Sequence, residues 1–137
     1  MSLMKDIENR LVWIDCEMTG LDYTKDVIVE IAVIITDKFL NEVAVGPELV
    51  IYQPPEVLET MSDWCKTTFA ENGLLERIKE SRVTMKDAES QIYEFIKKHT
   101  IPGKSVIAGN TVQMDRCFLR KDMPSVDQHL HYRYFLL

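Results

Sequence analysis

The spacing of hydrophobic positions changes twice along this 137-residue chain. Residues 10–16 read as a strand. In 26–37, "DVIVEIAVIITD", Val27, Val29, Ile31, Val33 and Ile35 alternate onto one face. The other face carries Ile28, Ala32 and Ile34, interrupted by Glu30. A strand apolar on both sides belongs in the middle of a sheet covered by helices. A short turn at Leu40-Asn41-Glu42 leads to a third strand over 43–53, in which Gly46-Pro47 marks a bulge or an edge position. Three strands joined by short links make an antiparallel meander.

After Pro54-Pro55 the period becomes helical. Short helices are expected over 56–61, 62–69 and 74–80. The clearest one follows Thr84, an N-cap with Asp87 three residues on, in the manner of a capping box. Met85, Ala88, Ile92, Phe95 and Ile96 form its apolar stripe. Lys97, Lys98 and His99 sit where the helix dipole favours cations, and Pro102-Gly103 ends the segment. Residues 105–110 read as a short buried strand and 111–123 as a helix stopped before Pro124. The tail "HLHYRYFLL" starts as another strand. This order predicts an α/β fold with a mixed central sheet, whose later strands run parallel to the first through right-handed crossovers. There is no repeat, low-complexity tract or linker, so 4–137 reads as a single domain. Met1-Ser2-Leu3 before Met4 reads as an expression scar.

Composition narrows the function. A chain that is 46% hydrophobic, with two Trp, five Tyr and five Phe, buries a real core. Its net charge of −6 argues against wrapping long nucleic acid by phosphate neutralisation. It permits a small anionic substrate if bound cations offset the field. Cys16, Cys65 and Cys117 are scattered and fit reduced thiols better than a disulfide framework or a zinc site. No apolar run is long enough to span a membrane and no signal peptide is visible. An intracellular protein of the cytoplasm or mitochondrion is the resulting expectation.

The candidate chemistry lies in carboxylates. Asp15 and Glu17, two apart on the first strand, share a face near its C-terminal end. Asp115 opens a helix just after the strand 105–110. If that strand lies beside the first, three carboxylates converge. They would repel one another and neutralise unless a cation held them. Hard oxygen donors suit Mg²⁺ or Mn²⁺. Blander readings stand beside this one. The D-x-E pair could face solvent at a sheet edge, and Asp115 could simply complement the helix dipole. His129 and His131 fit a solvated strand end better than a metal site, and Trp13 reads as core.

Four stretches, "WIDCEMTGLD", "MSDWCK", "AGNTVQMDRCFL" and "HLHYR", together resemble the oligoribonuclease family, in order from about residue 10 to 133. The resemblance implies a ribonuclease H-like fold with a five-stranded sheet and a DEDDh 3'-to-5' exoribonuclease. Such an enzyme degrades RNA down to dinucleotides and releases 5'-mononucleotides by two-metal hydrolysis. It implies metal binding and catalysis by Asp15, Glu17 and Asp115. It implies substrate contacts by Leu21, which wedges between bases, by Trp64, which stacks on one, and by Thr111 near a phosphate. Tyr132 and Arg133 would reach the partner subunit's substrate in a homodimer.

The sequence also departs from the family. A His usual five residues after the tryptophan is Phe69 here. The H-x-x-x-x-D motif, which brings the general-base His and a fourth Asp, follows "HYR" in the family and does not occur in these 137 residues. The domain is therefore expected to be incomplete and a poor nuclease. The alternative function is an inactive member, acting at most as a nucleotide-binding or dimerisation module.

Overall fold

The computed structural model describes residues 3–136. Helix α1 (Leu3–Glu8) precedes three strands, β1 (Leu11–Met18), β2 (Ile28–Thr36) and β3 (Glu42–Val50). Then come α2 (Pro55–Leu58), α3 (Asp63–Glu71), α4 (Leu74–Glu80), α5 (Met85–His99), β4 (Val106–Gly109), α6 (Val112–Asp122), α7 (Pro124–His129) and β5 (Tyr134–Leu136). The strands form one sheet in the order β3-β2-β1-β4-β5. β1, β2 and β3 pair antiparallel, while β4 runs parallel to β1 and β5 parallel to β4. The five-stranded mixed sheet expected from the sequence is the one that forms. In the scar reading, Met1 and Ser2 lie outside the described residues, and Leu3 begins α1, an element that the hydrophobic pattern did not signal.

The main core lies between one face of the sheet and helices α5, α6 and α7. Val12, Ile14 and Cys16 of β1 and Ile31, Val33 and Ile35 of β2 meet Ala88, Ile92 and Ile96 of α5 and Phe118 and Leu119 of α6. Helix α5 starts where the sequence places it. The Thr84 hydroxyl accepts the Asp87 N–H at 3.0 Å and the Asp87 carboxylate accepts the Thr84 N–H, a complete capping box. A cap of this kind contributes about 1 kcal/mol. β3 is an edge strand. Gly46 and Pro47 both face Val33 between the pairs Ala32–Glu48 and Ile34–Val45, so the bulge forms where it was expected. A smaller second core gathers Val29, Leu58, Met61, Cys65, Phe69, Leu74 and Ile78 under α3 and α4.

Several expectations are corrected. The second face of β2 is open at Ile34, which is 40% exposed beside its exposed partner Val45. Trp13 shares that face and is only half-buried. Its indole N–H donates to the Thr36 hydroxyl at 2.9 Å and its ring meets Phe135 edge-on. The tail is helical before it is a strand. Pro124 stops α6 but also starts α7, because proline fits the first position of a helix, where no N–H is needed. The strand β5 is confined to Tyr134–Leu136.

His129 closes α7 and is buried, so it is neither a solvated strand end nor placed to bind a metal. The Thr100 hydroxyl donates to the Ile96 carbonyl at 2.6 Å and therefore accepts from His129 Nε2–H at 2.7 Å. Burial, with Lys97 nearby, holds the imidazole below its ordinary pKa of 6.5. Folding therefore favours the neutral ring. Its contribution is complete above the unfolded-state value and is lost as pH falls below it. Urea midpoints measured from pH 7.5 to pH 5 should fall more steeply for the wild type than for His129→Gln, which keeps a donor toward Thr100 but cannot titrate. Parallel curves would show that the ring is not held neutral.

Candidate active site

The first link is local backbone geometry in β1. Val12, Ile14 and Cys16 point into the core, so Trp13, Asp15 and Glu17 point to the other face. Across the antiparallel pair these three lie opposite Ile34, Ala32 and Glu30. That face thus changes from apolar to acidic along β1. Glu17 and Glu30 stand directly opposite each other, an arrangement that destabilises a sheet when both are charged. Arg77 of α4 offsets it, pairing with Glu30 at 3.1 Å. Just beyond, Val29 is an extra residue between the pairs Glu17–Glu30 and Met18–Ile28. This bulge turns Val29 into the second core and ends regular pairing beside Glu17, as bulges next to functional sites often do.

The second link is the end of β4. Its pairing with β1 reaches only Trp13–Ala108, so β1 runs on past its neighbour. Asp115, in the first turn of α6, fills the gap, and its Oδ2 accepts the Cys16 N–H at 3.1 Å. Gly109 permits the close approach. Its φ is 154°, and a Cβ there would lie 3.0 Å from the Ile14 carbonyl oxygen. Thr111, just before α6, has φ 50°, a left-handed conformation in which a β-branched residue is strained. Its hydroxyl donates to the Asn110 carbonyl and is exposed.

The carboxylates feel one another. Burial first, with the charges of Asp15 and Glu17 and against the pull of the Cys16 N–H, raises Asp115 to about 6. Burial, then Asp15 and Glu30, raise Glu17. Burial, and then Asp115, Asp15 and Glu17, lift the Cys16 thiol well above its ordinary value, so this cysteine is an inert neutral thiol. All three cysteines are free. Among the described residues no three His, Cys, Asp or Glu side chains close around a common point as a formed ion site. The donor chemistry fits a hard divalent cation: oxygen donors at one end of a sheet, two of them, Glu17 and Asp115, raised in pKa first by burial and then by neighbouring carboxylates, a penalty that a bound cation would relieve.

Beside Glu17 opens a cleft of about 800 Å³, walled by the loop 19–26 on one side and by Thr60, Ser62, Trp64 and Phe69 on the other. Leu21 and Trp64 stand out from these walls at 75% and 71% exposure. Ser62 sets the second wall by capping α3, its hydroxyl accepting the Cys65 N–H. Phe69, at the position of the family's usual His, is buried in the second core as well as lining the cleft. The structure therefore brings Asp115 within electrostatic reach of Asp15 and Glu17 without closing the three around one point, and of the three only Glu17 lines the cleft that Leu21 and Trp64 share. Thr111, Tyr132 and Arg133 do not line this cleft. Tyr132 is exposed and stacks on His131, whose Nδ1 accepts the Arg133 N–H. Pattern reading missed Glu30, Arg77 and Asp26. The first two signal their role only through cross-strand register, and Asp26 was read as the first residue of a strand.

An α/β scaffold with acids at the sheet end has recognised relatives. The exonuclease family RNase_T matches residues 12–137. Against curated proteins, the chain is 54% identical over 127 residues to a probable oligoribonuclease of Caenorhabditis elegans, covering 93% of this chain and 66% of that protein. It is 47% identical over 133 residues to the mitochondrial oligoribonuclease of Homo sapiens, covering 97% and 56%. It is 50% identical over 127 residues to the oligoribonuclease of Haemophilus influenzae, covering 93% and 70%. The chain belongs to the exonuclease family, and within it to the oligoribonucleases. It spans between about half and two thirds of the length of most of these relatives. Among solved structures, exonuclease I from Methylocaldum szegediense superposes with a TM-score of 0.63 at 21% identity, covering 81% of this chain and 22% of that one. Escherichia coli exonuclease I in complex with a dT13 oligonucleotide gives 0.64 at 18%, covering 82% and 23%. The fold is ribonuclease H-like.

The raised pKa of Asp115 has a consequence for stability. Folding favours its protonated form, so its contribution is present below the unfolded value of 3.8 and is lost as pH rises through about 6. Asp115→Asn keeps an acceptor for the Cys16 N–H and removes the charge. At pH 7.5 it should stabilise the chain by on the order of 1 kcal/mol, a rise of ~3–5 °C in melting temperature. The gain should vanish near pH 4. Excess Mn²⁺ should raise the wild type more than the variant. Equal melting temperatures at both pH values would refute the electrostatic coupling.

Proposed function

We propose that the chain carries the cation- and nucleotide-binding part of a 3'-to-5' exoribonuclease acting on short RNA, down to dinucleotides. The observation that carries this reading is Glu17, which feels the charge of Asp15 and in turn acts on Asp115, standing in the wall of a cleft lined also by the exposed side chains of Leu21 and Trp64. In this reading Asp15, Glu17 and Asp115 hold two divalent ions, Mg²⁺ or Mn²⁺. When bound, these supply Lewis acidity toward the scissile phosphate and lower the pKa of the attacking water. Trp64 stacks on a base, a contact every base can make, and Leu21 inserts beside it. The small size of the ligand reconciles the site with a net charge of −6, since one or two phosphates need no long basic groove.

The remaining assignments extend this reading. Thr111, exposed at the start of α6, would contact a phosphate at the margin of the site. Tyr132 and Arg133, exposed beyond α7, would reach the substrate held by a second copy in a homodimer. No helix among the described residues is long and apolar enough to cross a membrane; the mitochondrial and bacterial oligoribonucleases among the relatives support an intracellular location, in the cytoplasm or a mitochondrion. The oligoribonuclease relatives and the exonuclease family match favour this reading over that of an inactive binding module.

Two measurements test the proposal. Mn²⁺ titrated into the wild type and into Asp15→Ala should bind the variant at least about tenfold more weakly, a loss of roughly 1.4 kcal/mol. In competition, pApA should displace a labelled dinucleotide more effectively than a 20-nucleotide RNA does. Trp64→Ala should weaken pApA by about 1–3 kcal/mol. Preference for the long strand with a steep salt dependence would point to a general electrostatic groove.

Cleavage should depend on what assists the attacking water. His129 is committed to Thr100, His131 to Arg133, and His99 packs against Phe95, so none of the three serves the acidic cluster. With Mn²⁺, these 137 residues should cleave pApA roughly 10²–10⁴-fold more slowly than the same chain extended by the C-terminal region of the Caenorhabditis elegans relative, the usual worth of general-base help. Comparable turnover would mean that another residue of this chain is the base.

A further inference from the structure

Leu21 is 75% exposed, so packing of its own side chain does little to set its position. The loop around it must do so. Thr19 and Asp26 are almost fully buried at 1% and 6% exposure. The Thr19 hydroxyl donates to Asp26 Oδ1 at 3.1 Å, and the Asp22 N–H donates to Asp26 Oδ2 at 3.0 Å. The residues on both sides of Leu21 thus hang from the two oxygens of one carboxylate. The ring is closed twice more: the Asp26 N–H donates to the Asp22 carbonyl at 2.7 Å, and the Thr19 hydroxyl accepts the Val27 N–H at 3.1 Å.

Helix α6 holds the same loop from outside. Lys121 Nζ donates to the Asp26 carbonyl at 2.7 Å, and Asp122 Oδ2 accepts the Ile28 N–H at 3.0 Å. Gly20 completes the fit. A Cβ there would lie 2.8 Å from the Asp26 Cγ, so the loop can close on the carboxylate only with glycine at this position. The Asp26 side chain forms no salt bridge to a cationic side chain among the described residues, and the hydrogen bonds of its carboxylate are spent on one loop. Charge-assisted bonds to a carboxylate are about twice as strong as neutral ones, which suits a group that must fix an exposed side chain.

We propose that Asp26 is a positioning residue of the binding cleft, holding the 19–26 loop so that Leu21 is presented opposite Trp64. The ligand side of this statement rests on the dinucleotide reading above; the structural side does not. Hydrogen exchange tests the structural side. In Asp26→Ala the Asp22, Asp26 and Val27 amides should exchange at least about tenfold faster, while Val12–Cys16 stay protected. Asp26→Asn, which keeps one acceptor and the shape, should fall between. For the ligand side, a Trp13→Phe background leaves Trp64 as the single fluorescent reporter. Asp26→Ala should weaken pApA about tenfold and change 5'-AMP by less than about twofold, because a mononucleotide can stack on Trp64 without Leu21. Gly20→Ala should also weaken pApA, and by less when Asp26 is already alanine.

Unchanged exchange in 19–27, equal weakening of pApA and 5'-AMP, or the same Gly20→Ala penalty in both backgrounds would each overturn the proposal. A wild-type chain that does not bind pApA would instead overturn the dinucleotide reading, and the exchange data would still decide whether Asp26 holds the loop.

Discussion

One hydrogen bond ties the acidic site to the fold: the Cys16 N–H donating to Asp115. It exists because β1 extends beyond the last residue pair it makes with β4. A strand end without a neighbour leaves donors unpaired, and a buried unpaired donor costs on the order of 1–3 kcal/mol. Asp115 satisfies the donor and in doing so is drawn into apolar surroundings beside Asp15 and Glu17. Its raised pKa is the electrostatic cost of that placement. The same short β4 lets α6 begin close to β1, with Gly109 giving the clearance.

Helix α6 then links the two halves of the candidate site. Asp115 in its first turn joins the carboxylates, and Lys121 and Asp122 at its end hold the loop that carries Leu21. The helix is itself anchored at its middle. Arg116, buried next to Asp115, donates to Asp127 at 2.6 Å and to the His131 carbonyl at 2.9 Å. That pair connects α6 to α7 and to the tail leading into β5. Removing one partner of such a buried pair strands a charge and typically costs about 3–5 kcal/mol. The opposite wall of the cleft belongs to the second core, which Arg77 pins to β2 through Glu30. That ion pair offsets part of the Glu17–Glu30 repulsion, while Leu74 and Ile78 of α4, packed with Val29 of β2, hold the helix in the second core.

Where the sequence was read correctly, the determining physics is local. The Thr84–Asp87 capping box, the bulge at Gly46-Pro47 and the alternation of Ile31, Val33 and Ile35 in β2 each involve residues that are neighbours in the chain or on one strand face; beyond them the bulge at Val29 breaks the expected alternation, sending Val29 into the second core and Ile28 into the main one. Errors arose where burial depends on what lies across the sheet. Ile34 and Trp13 look like core residues because hydrophobicity does not say whether a helix covers that face. Pro124 signals a stop to one helix but carries no sign that another starts there. His129 looked like part of an exposed tail because Thr100, its partner, is 29 residues away.

The sequence by itself determined the chemistry available: two carboxylates on one strand face, a third opening a later helix, and motifs that mark an oligoribonuclease. Tertiary structure alone decided how those groups act on one another. Asp115 reaches Cys16 across 99 residues of chain, Glu17 meets Glu30 only through strand register, and Asp26 becomes a buried anchor only when the loop folds over it. Electrostatic repulsion, desolvation and hydrogen-bond closure act over a few ångströms of space, and distance along the chain does not encode them.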